Sequence, residues 1–256
     1  MIQHVAPELA FCAPGALMAA NLPDLRIVVR TGASRSTSGI LNLAALAETP
    51  ADTARLDAIT RTLRADDPIN IQFTSGTTGL PKGATLSHRN IVNNGHFVAR
   101  RMKLDHRDRV CIPVPLYHCF GMVIGVIGCV SKAATMVFPG EGFDPDVVLN
   151  AVADERCTAL YGVPTMFSAM LDSQNFRSHD LSSLRTGIMA GAPCPIEVMR
   201  RVVDQMHMHE VTIAYGMTET SPVSFQSHID DPLEKRVTTV GRVLPHLEVK
   251  LIDTDG

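Results

Sequence analysis

The sequence predicts an α/β fold, in which a mostly parallel sheet carries helices on both faces. From Asp67 to Tyr215, short apolar segments typical of strands alternate with segments typical of helices. That alternation is the pattern of βαβ units. The chain has 256 residues, of which 45% are hydrophobic and 19% are charged. This composition is ordinary for a globular enzyme and argues against a disordered chain.

The strands are assigned from short apolar runs. They are predicted at residues 69–73, 110–114, 135–138, 159–161, 186–189 and 211–215. In a parallel sheet of this kind, ligands bind beyond the carboxyl ends of the strands. Three polar or glycine-containing segments, residues 73–83, 191–193 and 215–216, follow strands in this way. We therefore expect them to meet at one edge of the sheet.

The helices are assigned from their starting signals. They are predicted to begin near Ser87, Phe120, Pro145, Pro164 and Pro195. Ser87 is a favourable N-cap for a helix that runs to about residue 102. Asp144 is a cap followed by a proline at the first helical position. Residues 120–130 are expected to form a buried helix of small residues.

The two ends of the chain carry weaker signals. Residues 25–29 are typical of a strand, residues 31–39 of a polar turn and residues 51–64 of a surface helix. Residues 247–252 predict the start of a strand, and the four residues that follow it favour a turn. No internal repeat is visible.

The loop at residues 73–83, with the sequence FTSGTTGLPKG, is the strongest single indication of function. Glycines let backbone N–H groups approach an anion, hydroxyls add donors and a lysine adds positive charge. This combination favours binding of a polyphosphate. It is not a Walker A motif, because Pro81 stands where that motif needs its second glycine. The alternative is a Gly/Ser/Thr-rich surface turn.

Several other classes of protein are disfavoured by the sequence. The net charge is −3 and no basic stripe suggests binding to nucleic acid. The six cysteines fit no zinc pattern, and free thiols are expected. The N-terminus lacks the basic region of a signal peptide. Residues 110–130 contain no Asp, Glu, Lys or Arg, but their prolines and glycines and His118 favour a buried core segment over a transmembrane helix.

The polyphosphate loop and four further motifs resemble those of the adenylate-forming superfamily, which includes acyl-CoA synthetases, luciferases and nonribosomal adenylation domains. The other motifs are PLYHCFG at 115–121, AGAP at 190–193, AYGMTET at 214–220 and GRVLP at 241–245. Segments 161–167 and 221–225 are most similar to those of medium-chain acyl-CoA synthetases. The resemblance implies part of the large N-terminal domain of that fold. It also implies a reaction in which ATP and a carboxylate give an acyl-adenylate, which coenzyme A then attacks.

The resemblance implies roles for individual residues. The loop residues expected to bind the ATP phosphates are Thr74, Ser75, Gly76, Thr77, Thr78, Gly79 and Lys82. Tyr215 is expected to stack on adenine, and Thr218 to contact the α-phosphate. Glu219 is expected to hold Mg²⁺, a hard cation that suits carboxylate oxygen. The remaining nucleotide-binding residues are expected to be Gly191, Ala192, Pro193, Gly216 and Met217. Lys82, His118, Thr218 and Glu219 are the expected catalytic residues.

The carboxylate substrate is expected to lie beside His118. The residues expected to line the acyl pocket are His118, Phe120, Gly121, Tyr161, Gly162, Met189 and Ala190. Apart from the histidine they are small or apolar, as pockets for apolar ligands are. Relatives that activate amino acids carry an acidic residue just after the His118 position. This chain has none there, so an apolar carboxylate is the expected substrate.

The resemblance also predicts how the chain is divided. Residues 1–66 are expected to end an upstream subdomain, 67–240 to form the ATP- and acyl-binding subdomain and 241–256 to begin the next β region. The chain is thus expected to be the middle of a larger enzyme. Two alternatives stay open: an adenylating enzyme with a carrier-protein thiol as acceptor, and a non-catalytic nucleotide-binding fragment. We expect a cytoplasmic location, with peripheral attachment to a membrane left open.

Overall fold

A computed structural model describes residues 2–32, 38–75 and 79–253, which belong to two compact units. The first unit runs to Leu63 and contains short elements around a small apolar core. These are α1 (Ile2–Val5), a 3-10 turn (Pro7–Ala10), β1 (Val29–Arg30), β2 (Leu41–Asn42), α2 (Leu43–Ala47) and α3 (Thr53–Thr60). Strands β1 and β2 pair in parallel. The core of this unit is built from Ala6, Leu9, Leu17 and Ala19.

The second unit begins at Arg64 and contains the predicted alternation of strands and helices. Its strands are β3 (Pro68–Thr74), β4 (Lys82–Ser87), β5 (Arg109–Cys111), β6 (Thr135–Val137), β7 (Ala159–Gly162), β8 (Thr186–Ala190), β9 (Glu210–Gly216), β10 (Val223–Gln226) and β11 (Arg242–Val243). Its α-helices are α4 (His88–Arg101), α5 (Gly128–Lys132), α6 (Pro145–Asp154), α7 (Pro164–Leu171), α8 (Ile196–Gln205) and α9 (Leu233–Thr238). A π-helix (Phe120–Ile127) precedes α5, and 3-10 turns occupy Phe176–Ser178 and Thr218–Thr220.

The described residues include a sheet of seven strands, in the order β11-β10-β9-β8-β7-β5-β6. The five strands from β9 to β6 pair in parallel, and β10 and β11 are antiparallel. The predicted α/β class with a mostly parallel sheet is therefore confirmed.

Both faces of the sheet are covered by helices. Successive strand residues point to opposite faces and so pack into two different cores. In β8, Met189 packs into a core with Leu149, Phe167 and Val202 of helices α6 to α8. Its neighbour Ile188 packs on the other face. The residues of that second core that come from α4 and the π-helix are Val98, Ala99, Phe120 and Ile124.

The capping signals in the sequence correctly locate two helix starts. Ser87 and Asn90 form a capping box at the start of α4. The Asp144 side chain accepts hydrogen bonds from the backbone N–H groups of Asp146 and Val147, both at 3.0 Å. These contacts satisfy N–H groups that a helix start leaves without partners.

The segment that leads into the polyphosphate loop differs from its prediction. Strand β3 does not join the parallel sheet; it pairs with β4 in a separate antiparallel hairpin. Strand β4 was not expected, because Lys82–Ser87 has only Ala84 and Leu86 as apolar residues among small and polar ones. The expectation that this loop follows a strand of the parallel sheet is therefore wrong.

Other segments also differ in detail. Residues 247–252 form no strand, and the predicted strand at 25–29 is reduced to Val29–Arg30. Most of the predicted turn at 31–39 lies outside the described residues. The predicted helix at 120–130 is a π-helix that continues as α5. Among the described residues, no helix has both the length and the apolar character that crossing a membrane requires.

Candidate active site

A cavity of about 700 Å³ lies at the carboxyl ends of β8 and β9, where an α/β sheet is expected to bind ligands. Its walls come from the β3–β4 hairpin, the segment before the π-helix, the π-helix itself, the end of β8 and the turn between β9 and β10. The lining residues are Gln72, Phe73, Thr74, Ser75, Lys82, Tyr117, His118, Cys119, Phe120, Ile124, Ala190, Gly191, Ala214, Tyr215, Gly216, Met217, Thr218, Glu219, Pro222 and Val223.

The hairpin places the lysine of the polyphosphate loop opposite its first threonine. Thr74 and Lys82 are the paired residues of β3 and β4 that lie next to the connecting loop. The Thr74 hydroxyl donates a hydrogen bond of 3.5 Å to Oε1 of Glu219. This contact joins two segments that are 145 residues apart in the chain. A cation and a carboxylate thus line the same cavity, next to exposed hydroxyls.

The turn after β9 depends on a close approach of two backbones. A Cβ added to Gly216 would lie 1.9 Å from the carbonyl oxygen of Pro222, so only glycine fits there without a shift. The turn is also held by the Thr220 side chain. Its hydroxyl oxygen accepts from the backbone N–H of Met217 at 3.2 Å and its hydroxyl lies 2.8 Å from the carbonyl oxygen of Pro222. Met217, Thr218 and Glu219 are thereby fixed at the cavity wall.

Tyr215 presents an aromatic face at the rim. Its residue is 54% exposed, and its ring meets that of Phe225 edge to face at 6.1 Å. Gly191, which follows β8 and also lines the cavity, has a φ of +88°, a conformation that favours glycine. An exposed aromatic face can stack on a planar ring, and a residue without a side chain lets such a ring approach the backbone.

His118 is oriented by a backbone contact. The N–H of Phe120 donates to Nδ1 of His118 at 3.0 Å. A neutral ring that accepts at Nδ1 carries its proton on Nε2. Nε2 is then a hydrogen-bond donor for an anionic ligand. The buried Cys119 thiol lies 3.6 Å from the Thr218 hydroxyl, and burial is the main cause that raises the pKa of this thiol.

The inner wall is apolar. Phe120 and Ile124 of the π-helix line it together with Ala190. Tyr161 lies behind Phe120, with ring centroids 6.0 Å apart, and is fully buried. The Tyr161 hydroxyl has no hydrogen-bond partner among the described residues.

The predicted site residues divide into three groups. Those that the structure brings to the cavity are Thr74, Ser75, Lys82, His118, Phe120, Ala190, Gly191, Tyr215, Gly216, Met217, Thr218 and Glu219. Those that are described but do not line it are Gly79, Gly121, Tyr161, Gly162, Met189, Ala192 and Pro193. Gly76, Thr77 and Thr78 lie outside the described residues. The roles assigned to all of them stay predictions.

The lining residues that were given no individual role from the sequence are Gln72, Phe73, Tyr117, Cys119, Ile124, Ala214, Pro222 and Val223. Phe73, Tyr117, Cys119 and Ala214 lie inside motifs, and Pro222 and Val223 lie in the similar segment 221–225, so their position was a usable signal. Gln72 and Ile124 belong to no motif and reach the cavity through the packing of β3 and the π-helix. Val223 is held by Asn94 of α4, whose amide bonds both the N–H and the carbonyl oxygen of Val223, at 3.1 and 2.8 Å.

The described part of the chain contains no group of three or more His, Cys, Asp or Glu side chains that could hold a metal by themselves. Mg²⁺ is usually bound by one or two carboxylates together with phosphate oxygens of a substrate. A single carboxylate, Glu219, beside the Thr74 hydroxyl is consistent with that arrangement.

Comparison with curated proteins yields close relatives. The chain is 44% identical over 255 residues to the medium-chain acyl-CoA ligase ACSF2, mitochondrial, of Danio rerio, covering 99% of this chain and 42% of the relative. It is 50% identical over 194 residues to the acyl-CoA ligase sidI of Aspergillus fumigatus, covering 76% and 33%. The chain thus spans less than half the length of these relatives.

Solved structures agree with this relationship. The anthranilate CoA ligase AuaEII in complex with anthranoyl-AMP has a TM-score of 0.68 and 25% identity, over 75% of this chain and 37% of that one. ATP-bound MatB from Rhodopseudomonas palustris has a TM-score of 0.61 and 31% identity, over 72% and 35%. The family model for AMP-binding enzymes matches residues 1–256, and the chain therefore belongs to the AMP-binding enzyme family.

Proposed function

We propose that this chain carries the ATP- and acyl-binding part of an AMP-forming acyl-CoA synthetase. The observation that supports this most is a single cavity in which a polyphosphate loop, an aromatic rim and an apolar inner wall meet. The proposal also draws on relatives that are named acyl-CoA ligases.

The polar side of the cavity suits ATP. Lys82 would contact the β- and γ-phosphates, with the hydroxyls of Thr74 and Ser75 as further donors. Glu219 would hold Mg²⁺ between its carboxylate and the phosphates; the bound ion would supply positive charge where negative charge concentrates. Tyr215 and Gly191 would enclose the adenine ring.

The apolar side suits an acyl chain. The Nε2–H group of His118 would donate a hydrogen bond to the substrate carboxylate. The carboxylate would be held in this way before it attacks the α-phosphorus. Phe120 and Ile124 would contact the chain beyond it. The charged side chains among the lining residues are Lys82 and Glu219. Because Glu219 would hold Mg²⁺, no other carboxylate of the wall would be available to pair with the ammonium group of an amino acid. This favours a medium-chain fatty acid over an amino acid as substrate.

Coenzyme A is the proposed acceptor, because the two relatives described above are named acyl-CoA ligases. A carrier-protein thiol is the second candidate. The two acceptors are distinguished by supplying each to the pre-formed acyl-adenylate and identifying the thioester by mass spectrometry.

The proposal is tested with two non-hydrolysable adenylate analogues, octanoyl- and phenylalanyl-sulfamoyladenosine, titrated into the purified chain by calorimetry. We expect the octanoyl analogue to bind at least tenfold more tightly. Pyrophosphate release from ATP, Mg²⁺ and octanoate is measured in parallel. Adenylate binding without pyrophosphate release would favour a non-catalytic nucleotide-binding role.

Two variants with matched controls refine this test. Lys82→Ala and Glu219→Gln should each weaken binding of Mg²⁺–ATP, since loss of a charged contact typically costs about 1.5–3 kcal/mol. Lys250→Ala and Glu141→Gln remove the same charges at exposed positions outside the cavity and should bind normally. Equal affinity in all four variants, or a preference for the phenylalanyl analogue, would refute the proposal.

A further inference from the structure

A second cavity, of about 240 Å³, lies at the carboxyl end of α4 and shares no lining residue with the candidate active site. Its wall is strongly basic. The side chains that matter here are Phe97, Arg100, Arg101, Lys103, His228 and Arg242. The polyphosphate loop takes no part in it, so the proposed function leaves this cluster of cations unexplained.

The two arginines of α4 are held in place without being neutralised. The Arg100 guanidinium lies 5.9 Å from the centre of the Phe97 ring. Arg101 donates from Nη1 to the carbonyl oxygen of Gln226 at 2.9 Å. Among the described residues, neither arginine forms a salt bridge with a carboxylate. No carboxylate among the described residues therefore neutralises either guanidinium by direct contact.

Lys103 is positioned by a rigid turn. Its φ is +52°, and Arg185 donates to the carbonyl oxygens of Met102 at 3.4 Å and Lys103 at 3.1 Å. Arg185 is itself held by Asp108 and Glu210. The backbone that carries Lys103 is thus fixed before any ligand arrives.

Acidic residues offset only part of this charge. Asp231 accepts from Lys235 at 3.1 Å and from Arg242 at 3.4 Å, so it is shared between two cations. Asp230 lies 3.1 Å from Nδ1 of His228. No carboxylate is among the lining residues. The pKa of Arg101 is lowered by burial and by the repulsion of Arg242, as expected where positive charges converge.

We propose that this second cavity binds a compact phosphate-type anion, either inorganic pyrophosphate or a phosphomonoester group. Several convergent cations within a small concave site are what a multiply charged anion needs. Arginine guanidinium groups match the geometry of phosphate oxygens. A volume of about 240 Å³ is below the roughly 300–1,000 Å³ of pockets for larger ligands, which favours a small anion over a whole nucleotide.

The experiment is calorimetric titration of the purified chain with pyrophosphate, glycerol 3-phosphate and succinate. The test variant is the double substitution Arg100→Gln, Lys103→Gln, which leaves the backbone contact of Arg101 intact. The control is Arg55→Gln, Arg177→Gln, which removes two exposed positive charges elsewhere. Lys82→Ala is measured separately, because pyrophosphate can also bind the polyphosphate loop. Circular dichroism checks the fold of each variant.

We expect the test variant to lower pyrophosphate affinity about tenfold or more at one of two sites, as loss of charged hydrogen bonds implies. Its affinity for Mg²⁺–ATP should stay within twofold. Lys82→Ala should show the reverse, which separates this inference from the proposed function. In ¹⁵N spectra, the Nε–H signals of Arg101 and Arg242 should shift on titration. Tight binding of glycerol 3-phosphate together with pyrophosphate indicates a phosphomonoester site; pyrophosphate alone indicates an inorganic ligand.

Three results would overturn the inference. The control variant could lose as much affinity as the test variant, which would mean general attraction to a basic surface. A single binding event abolished by Lys82→Ala would assign all binding to the polyphosphate loop. Succinate that binds as tightly as pyrophosphate would exclude a site selective for phosphate.

Discussion

Replacement of Asn94 by alanine should test how the candidate site is supported. Asn94 is 7% exposed and Val223 is 3% exposed. The Asn94 amide bonds both backbone polar groups of Val223, so Asn94→Ala leaves a buried N–H and a buried C=O without partners. Each such group costs about 1–3 kcal/mol. Because water can enter part of the vacated space, we expect a loss of about 2–4 kcal/mol of unfolding free energy.

The measurement is urea unfolding followed by far-ultraviolet circular dichroism, which suits a chain without tryptophan. The control is Asn93→Ala, at the preceding position of the same helix, where the residue is exposed. An exposed substitution of this kind usually changes stability by less than about 0.5 kcal/mol. The affinity for the octanoyl-adenylate analogue is measured on both variants, because Val223 lines the cavity.

Equal stability of Asn94→Ala and Asn93→Ala would refute the reasoning. It would mean that the backbone of Val223 finds other partners when the amide is removed. Weakened analogue binding by Asn94→Ala at temperatures where both variants stay folded would show that this clamp supports the site as well as the fold.

Three further predictions concern single positions. Tyr215→Ala should weaken AMP binding about tenfold while Tyr215→Phe keeps it, by calorimetry, since stacking needs the ring and not the hydroxyl; equal loss in both would contradict this. Gly216→Ala should lower the melting temperature and the AMP affinity together, because its Cβ would meet the carbonyl of Pro222; unchanged values would show that the turn relaxes. Burial raises the pKa of Asp231, but the hydrogen bond from His228 N–H and the cations Lys235 and Arg242 outweigh it, so the folded pKa lies below the ordinary 3.8. The stabilisation of the folded state by ionised Asp231 is fully present above the ordinary pKa of 3.8 and is lost as pH falls through the lower folded pKa. Asp231→Asn should therefore melt lower than wild type near pH 7, with the gap closing below about pH 4; a pH-independent gap would contradict this.

The sequence predicted the layered sheet well because its signals are local. Asp144 and Ser87 cap helices through contacts with their own neighbours, and alternate residues such as Ile188 and Met189 serve opposite cores. Such features depend little on distant parts of the chain. The order of the strands was not predictable in this way, since each strand pairs with residues far along the sequence.

The hairpin and the C-terminal segment show why local patterns are insufficient. Residues 69–73 have the composition of a strand, but that composition does not specify which strand they pair with. They pair with β4, outside the main sheet. Residues 247–252 alternate between apolar and polar side chains, yet form no strand among the described residues. A strand is defined by hydrogen bonds to a neighbour, which its own sequence does not specify.

The residues of the candidate site that lie in motifs could be predicted from the sequence. The residues that reach the cavity through tertiary packing were given no role. Tyr215, Thr218 and Glu219 lie within one motif and line the cavity. Val223 reaches the same wall because Asn94 holds it, a contact across 129 residues that no short pattern contains. The acyl-pocket prediction for Tyr161 stays open, since this side chain lies behind Phe120.

The separate hairpin has a consequence for how binding is coupled to local stability. Ile69, Ile71 and Phe73 of β3 are 49%, 61% and 76% exposed, whereas every residue of β8 is buried. Elements with few buried contacts open most readily, so amide protons of β3 and β4 should exchange with deuterium faster than those of β8. The part of the cavity that would hold phosphate therefore lies on a hairpin with exposed side chains, whereas the part lined by Ala190 lies on a buried strand. A nucleotide that bridges Lys82 and Tyr215 should slow exchange in the hairpin and leave β8 unchanged.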